Sequence, residues 1–370
     1  MKQNVIIIPT FNERDNIGPL IDCVQEELAA IPHRTHILVV DDESPDGTAE
    51  IVMAKQQDFQ NIHLISGVKA GLGAAYIRGM KHAMEALAAD VVFEMDADFS
   101  HKPKDIARLM EALDGGADFV IGSRYVVGGA VPLEWGVLRR ANSLFGNLVA
   151  RYGAGLRQIR DCTAGFRAIR TDLLQRIGLD SLDARGYAFQ IDLLSEAIRL
   201  DARVVEVPVE FVDRKEGESK LGLSDIIEFV KIALQIRLRR SATLIKFCVV
   251  GGTGVIVNLS VFSLLLAAGM GKFLASPLAI EASIISNFFI NNHWTFRYRR
   301  TGTRTRTRGL QFNLVSIAAL SISYTSFVGL CLSLPHVRPQ LLQLASIIPG
   351  TAVNFLLNSH WTFKHRPEPE

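Results

Sequence analysis

Two nearly identical stretches close two long apolar runs of this chain: NNHWTF at 291–296 and NSHWTF at 358–363. His293 and His360 lie 67 positions apart, and Phe247 and Phe312, near the starts of the two copies, lie 65 apart. Residues 247–270, 310–334 and 339–359 contain no Asp, Glu, Lys or Arg, and 273–296 contains only Glu281 before Arg297. A helix that spans a bilayer needs roughly 20 apolar residues. The pattern therefore predicts four membrane helices, built as two copies of one helical hairpin. The Trp of each copy stands where an interfacial aromatic is favoured, and the His reads as an interfacial or helix-capping residue. Glu281 would cost roughly 2.5–3.5 kcal/mol at mid-depth, so it is expected to line the bundle interior or to lie near an interface.

Basic residues orient these helices. RYRRTGTRTRTR at 297–308 holds six arginines and no acid, KIALQIRLRR precedes the first run and KHRPEPE follows the fourth, whereas the other two connections carry only Lys272 and Arg338. The positive-inside rule puts both chain ends and the Arg-rich loop in the cytoplasm, where the loop would also attract anionic headgroups. The mean hydropathy of +0.21 is high for a chain with 21% charged residues, which fits apolar residues concentrated at one end. The net charge of +2 does not imply nucleic acid, and the four cysteines show no metal-ligand spacing. The N-terminal MKQNVIIIPTFNE enters a run too short for a signal-peptide core and has no small-residue cleavage site. It reads as a buried strand, with the N-terminal half in the cytoplasm.

Up to about residue 240 the pattern is different. Short Val/Ile-rich runs at 5–8, 36–40, 63–65, 91–95, 119–121 and 203–207 are candidate strands, with amphipathic stretches such as 17–30 and 104–113 between them. This alternation predicts a mostly parallel sheet covered by helices, with ligands beyond the carboxyl ends of the strands. Polar motifs stand at those ends. In MDADFSH, Asp96 and Asp98 lie two apart and can turn towards one divalent cation; Mg²⁺ typically takes one or two carboxylates plus substrate phosphates. The plain alternative is an Asp pair capping the next helix. IIIPTFNERDNI and ILVVDDESPDGT place Glu13, Asp41 and Asp42 at two more strand ends, where carboxylates suit hydrogen bonds to a base and ribose. KAGLGAAYIRGMKHA supplies Lys69 and a glycine turn that opens a helix, with simple helix capping as the alternative. Residues 129–153 read as a loop and an amphipathic helix: Trp135, Leu138, Phe145 and Val149 share an apolar face, with Arg139 and Arg140 beside it. Such a helix suits a membrane interface. SDIIEFVKIALQIRLRR at 224–240 reads as a second interfacial helix.

The segments PTFNE, VVDDESPDGT, GLGAAYIRG, MDADFSHKP, GSRY, DCTAGFRAIR and EVPVEFVDRKEGESKL follow in this order over residues 1–230. As a set they resemble the polyprenyl-phosphate glycosyltransferases of glycosyltransferase family 2, in particular those that resemble dolichol-phosphate mannose synthases. NFFINNHWTF and NFLLNSHWTF resemble the GtrA-type membrane domain found fused to such enzymes. The resemblance implies a GT-A (Rossmann-like) α/β catalytic domain at 1–215, interfacial helices and linker at 216–243, and a four-span α-helical membrane domain at 244–370 with repeats 244–298 and 310–365. It implies a nucleotide-sugar donor held by Pro9, Thr10, Glu13, Val40, Asp41, Asp42, Lys69 and Ala97, and Mg²⁺ or Mn²⁺ on Asp96 and Asp98. Some relatives carry a Gln two residues after the second Asp; here Ser100 stands there, which leaves a third protein ligand in question.

The acceptor implied is a polyprenyl phosphate, whose second pKa of about 6 makes it largely an anion at neutral pH without a strong base. Holding it against a donor diphosphate calls for cations: Arg124, Arg139, Arg140, Arg214 and Lys220, with Ser143 as a hydroxyl donor. For each arginine a surface or headgroup contact is the plain alternative. Asp98, Arg124 and Asp192 are the candidate catalytic residues, Asp192 orienting a substrate or serving as a buried structural carboxylate. The expected reaction is inverting transfer of mannose from GDP-mannose at the cytoplasmic face. A UDP-glucose (or other UDP-hexose) undecaprenyl-phosphate transferase is the enzyme alternative. A glycolipid flippase role for the membrane domain and a non-catalytic nucleotide-sugar-binding regulator are the alternatives of other classes. Small residues in VVGGTGVIVN would permit close helix packing, including packing in a homo-oligomer.

Overall fold

The computed structural model describes residues 2–132, 135–182, 186–212, 223–295 and 305–357. The chain divides into two compact units, Met1–Arg239 and Arg240–Glu370. The first alternates strands and helices: β1 (Gln3–Thr10), α1 (Arg14–Leu28), β2 (Arg34–Asp41), α2 (Thr48–Asp58), β3 (Ile62–Ser66), α3 (Leu72–Glu85), β4 (Val91–Glu94), α4 (Asp105–Asp114), β5 (Phe119–Ser123), α5 (Val137–Leu148), β6 (Arg167–Arg170), α6 (Thr171–Ile177), α7 (Phe189–Arg199) and β7 (Val204–Pro208). One sheet forms in the order β3-β2-β1-β4-β6-β5-β7. β6 runs antiparallel to both neighbours and the remaining pairs are parallel, so the sheet is mixed.

All six expected strands are present. β6 was not among them, because its first residue is Arg167, fully buried, and an apolar-run criterion passes over a strand that opens on a buried charge. Arg167 is accommodated by three carbonyls, donating from Nε to Ala164 (2.8 Å), from Nη1 to Gln190 (2.7 Å) and from Nη2 to Cys162 (2.9 Å).

The strands are apolar on both faces because both are covered. Along β1, Val5 and Ile7 join one core with Leu38, Val40, Tyr76 and Met80, while Ile6 and Ile8 join the other with Ile17, Leu20, Ile37 and Phe93. Each such fully buried side chain contributes about 1.5–3 kcal/mol. α3 lies close on the sheet through Gly79, where a Cβ would stand 2.7 Å from Ile7 Cγ2 and 2.9 Å from Val40 Cγ2. The glycine of the AAYIRG motif thus serves helix–sheet packing.

Near the start of β2, His36 Nδ1 lies 2.9 Å from His63 Nε2 on β3. Partial burial holds both imidazoles below the ordinary value, with Arg34 adding to it at His36, and His36 and His82 adding to it at His63. The folded state therefore binds fewer protons here than the unfolded chain, so this contribution to stability is complete above the unfolded pKa and is lost as pH falls below about 6.5. Melting temperature should fall between pH 6.5 and 5.5, and His63→Gln should flatten that part of the curve. An unchanged slope in the variant would contradict the assignment.

α8 (Leu223–Ala267) begins in the first unit. The segment expected as a separate interfacial helix is its opening stretch, with Ile232, Ala233 and Ile236 in the core and Ile227, Leu234 and Leu238 exposed. The second unit holds the rest of α8, then α9 (Lys272–Ile290), a π-helical turn (Asn291–Thr295), α10 (Thr305–Ser333) and α11 (Pro339–Leu357). Among the described residues two helical segments, Ile245–Ala267 and Leu314–Ser333, are long and apolar enough to cross a membrane.

This unit exposes large apolar side chains, and its interior combines an apolar cluster around Phe262 and Phe327 with buried polar groups. Ile256, Leu264, Ile317, Leu332 and Ile348 are exposed, whereas Asn258, Ser276 and Gln343 are buried. Gln343 Nε2 donates to Asn258 Oδ1 (3.1 Å) and Ser276 Oγ donates to Gln343 Oε1 (2.9 Å). Matching positions of the two sequence copies touch: Phe262 and Phe327, 65 apart, meet edge-to-face at 5.7 Å, and Ser276 and Gln343 are 67 apart. The two hairpins thus meet through matching positions of the repeat. His293 lies 3.0 Å from the Phe289 carbonyl through Nδ1, a helix-end contact, and Trp294 is exposed beside Lys246. Glu281 is exposed on α9 and does not line the bundle interior. His360 and residues 297–304 of the Arg-rich loop lie outside the described residues, and Arg306 and Arg308 fall at the start of α10.

Candidate active site

β2, β1 and β4 are adjacent and parallel, so their carboxyl ends share one sheet edge. The three loops that leave it each hold a non-glycine residue in the left-handed region: Asn12 (φ 59°), Glu43 (φ 55°) and Phe99 (φ 61°). Such conformations concentrate where a loop is shaped for function.

The first corner is built on Asp41. Its buried carboxylate accepts from Thr10 Oγ1 (2.8 Å), from the Ser44 amide (2.8 Å) and from Ser44 Oγ (2.6 Å). Asp42 is paired with Arg78; burial pushes its carboxyl above the usual range although Arg78 opposes it. Arg78 passes over Gly67, where a Cβ would stand 2.3 Å from Nη1. Glu13 accepts from Asn16 Nδ2 (2.9 Å), and its amide donates to Thr48 Oγ1 (3.0 Å). Lys69 is exposed, with Nζ 3.4 Å from the centre of the Phe11 ring. Pro9 is partly buried, while Val40 and Ala97 are buried; Val40 points into the core beneath Gly79, so only its backbone faces the edge.

The second corner follows β4. The Asp96 side chain is 31% exposed and accepts from the Tyr76 hydroxyl (3.2 Å). The Asp96 amide donates to His101 Nδ1 (3.1 Å). That bond leaves the imidazole proton on Nε2, which lies 3.8 Å from Asp96 Oδ2. His101 is buried between Phe166 and Phe211, and burial lowers its pKa, so it is neutral and orients Asp96. Asp98 is buried and accepts from the Ser100 amide (3.1 Å) and the Ser100 hydroxyl. Ser100 is thus committed to holding Asp98. Among the described residues no group of three or more His, Cys, Asp or Glu could hold a metal. A pair of carboxylate oxygens at a sheet edge, one partly exposed and both braced by hydrogen-bond donors, fits Mg²⁺ or Mn²⁺ completed by substrate phosphates.

The third corner follows β5. Arg124 Nε and Nη2 donate to the two oxygens of Asp161 (2.7 and 2.8 Å), and the Arg124 amide donates to Asp161 Oδ2 (3.0 Å). Arg124 Nη2 also donates to Thr163 Oγ1 (3.0 Å). Asp161 is fully buried. Burial pushes its carboxyl up, but the charge and hydrogen bonds of Arg124 outweigh this and hold it below the ordinary value. Arg124 therefore enters the site with its charge already balanced. Glu206 on β7 accepts from Ser123 Oγ (2.8 Å) and from the Arg160 and Asp161 amides (2.9 Å each), fixing the loop that carries Asp161.

α5 carries the remaining cations. Arg139 stacks on Trp135 (4.4 Å to the ring centre), Arg140 Nη2 donates to the Pro132 carbonyl (3.2 Å), and Ser143 Oγ lies 2.7 Å from the Tyr125 hydroxyl. The expected apolar face needs correction: Trp135 is buried edge-on against Phe211 (5.6 Å). Val137, Leu138, Leu144, Phe145 and Leu148 form the exposed apolar set instead, with Val137 85% and Leu138 79% exposed. Asp192 opens α7 fully buried, 3.5 Å from Arg239 Nη1, which favours its reading as a structural carboxylate. Arg214 and Lys220 lie outside the described residues.

The sequence reading did not single out Tyr76, Arg78, His101, Asn147, Asp161, Thr163 or Glu206. The AAYIRG, DFSHKP and DCTAGFR blocks held the signal for five of these, but the partners that give them meaning are distant, as with Arg124 and Asp161, 37 positions apart.

The description "Glycosyl transferase family 2" matches residues 5–178, and "GtrA/DPMS, transmembrane domain" matches residues 246–363. The polyprenol monophosphomannose synthase of Mycolicibacterium smegmatis is 44% identical over 231 residues, which cover 61% of this chain and 84% of that protein. The dolichol-phosphate mannosyltransferase of Pyrococcus furiosus is 32% identical over 366 residues, covering 97% of this chain and 98% of that protein. The undecaprenyl-phosphate mannosyltransferase of Micrococcus luteus is 43% identical over 221 residues, covering 58% and 86%.

Proposed function

Since this chain belongs to the polyprenyl-phosphate glycosyltransferases of glycosyl transferase family 2, joined to a GtrA-type membrane domain, we propose that it transfers mannose from GDP-mannose to a polyprenyl phosphate at the cytoplasmic face. One observation carries this reading furthest: the helix that bears Arg139, Arg140 and Ser143 also exposes Val137, Leu138, Leu144, Phe145 and Leu148. A helix with cations beside an exposed apolar face suits an acceptor whose head is a phosphate and whose body is a hydrocarbon. An apolar groove of 470 Å³ lies next to it, lined by Leu148, Val149, Tyr152, Val230 and Leu234, and suits the isoprenoid chain.

The proposed division of labour follows the three corners. Thr10, Glu13, Asp41 and Asp42 take the nucleoside, with Arg78 steering Asp42. Asp96 and Asp98 would hold Mg²⁺ or Mn²⁺, which when bound offsets charge on the leaving diphosphate. Arg139, Arg140 and Ser143 take the acceptor phosphate, while Arg124, locked to Asp161, braces the loop between them. A phosphate oxygen of the acceptor attacks the anomeric carbon as the bond from that carbon to the GDP oxygen breaks. Attack from the opposite face inverts the configuration, and a phosphate already ionised at neutral pH needs no strong base. In the membrane, a repeat of two helices returns the chain to its starting side, so a duplicated hairpin gives four spans with both ends in the cytoplasm, in keeping with the arginines of 297–308.

The donor is the point to test. Purified protein with polyprenyl phosphate and Mn²⁺ should label lipid from GDP-mannose with kcat/KM higher than from UDP-glucose by on the order of 10²-fold or more, as expected where buried polar groups read a base. Lipid labelled only from UDP-glucose would overturn the mannose assignment.

A further inference from the structure

The twelve residues of α5 contain one buried residue, and it is Asn147, 4% exposed on a helix whose large apolar side chains face outward. A buried amide is costly unless its hydrogen-bonding groups are matched, and here they are. Nδ2 donates to Thr163 Oγ1 (3.1 Å) and to the Ser143 carbonyl one turn back (3.2 Å), and lies 3.5 Å from Asp161 Oδ1. Oδ1 accepts from the Cys162 amide (2.8 Å). One side chain therefore grips three consecutive residues of the loop that holds Arg124. Thr163 Oγ1 is shared directly, receiving Asn147 Nδ2 and Arg124 Nη2.

We propose that Asn147 is a positioning residue for the acceptor: it pins α5 to the 161–163 loop and so fixes Arg139, Arg140 and Ser143 in register with the Arg124–Asp161 pair. The proposal rests on the reading of α5 as the acceptor helix. The apolar face of α5 gives it little hold on the protein, and a membrane in contact with that face would pull on it; the amide supplies the fixed point. Arg139 on Trp135 and Ser143 on Tyr125 anchor the N-terminal part of α5; at its C-terminal end Asn147 is joined by the turn that follows, where Val149 packs on the core and Ala150 is buried in it.

The test uses the full-length protein in detergent, with Asn147→Ala and the isosteric Thr163→Val beside the wild type. The expected result is a rise in KM for polyprenyl phosphate of about tenfold for Asn147→Ala and about threefold for Thr163→Val, with KM for GDP-mannose unchanged within about twofold. Hydrogen exchange should quicken in residues 137–148 and stay unchanged in β1 and β4. Donor and acceptor KM rising together, or neither rising, would overturn the proposal. If the wild type transfers no mannose, the proposed function fails instead, and exchange in α5 decides alone: unchanged exchange in both variants overturns the role of Asn147, and faster exchange confined to α5 supports its anchoring.

Discussion

Asp98→Asn is expected to leave the protein folded and to lower kcat/KM for mannosyl transfer by roughly 10³-fold or more, since loss of a cation's stabilisation of developing charge is worth several kcal/mol. The variant is nearly isosteric. Asp98 is buried and tied to the Ser100 amide and hydroxyl, bonds that an Asn carbonyl oxygen can still accept, so the melting temperature should shift little. What is removed is a negative charge beside Asp96, in a corner whose other supports, Tyr76 and His101, belong to Asp96. Initial rates against Mn²⁺ concentration should show a weakened metal requirement site as well as a lower ceiling. Wild-type rates in a well-folded Asp98→Asn protein would remove the metal role from this pair.

The second large effect is on stability. Asp161→Ala should cost about 3–5 kcal/mol, the usual penalty for leaving a buried charge without its partner. Arg124 is only 10% exposed and loses two side-chain hydrogen bonds and one to its amide in a single step. That is a large share of the 5–15 kcal/mol or so that holds a typical domain together, so thermal melts in detergent should show a drop of many degrees or a protein that fails to accumulate. Adding Arg124→Met should recover much of the stability, because no uncompensated charge then remains, while transfer should stay below the wild-type rate because the loop has lost its brace. A single variant that melts with the wild type would show that the pair is not the buried lock described here.

The sequence made the first unit's fold legible because its strands are buried on both faces and read as uninterrupted Val/Ile runs. β6 escaped because it begins on Arg167, whose burial rests on three carbonyls that no local pattern announces. The strand-end carboxylates Asp41, Asp42, Asp96 and Asp98 were visible because each pair is adjacent or nearly so in the chain. Asp161, Thr163 and Asn147 were not, because their roles arise between β5, α5 and a loop before β6. Trp135 misled for a related reason: helical spacing put it with Leu138 and Phe145, but it precedes α5 and turns inward to Phe211. In the second unit, the duplication read from NNHWTF and NSHWTF returns as contacts between matching residues, Phe262 with Phe327 and Ser276 with Gln343. The buried amide of Gln343 could not be foreseen from a hydropathy pattern that marks only its apolar neighbours.

The acceptor proposed for this enzyme is a lipid phosphate. The most direct measurement gives the purified protein, in liposomes with or without polyprenyl phosphate, radiolabelled GDP-mannose and Mn²⁺, and then partitions the products between organic and aqueous phases. Organic-soluble label is expected only with polyprenyl phosphate; it should release mannose on mild acid treatment, with β configuration at the anomeric carbon. Label that enters a water-soluble product at the same rate whether or not the lipid is present would contradict it.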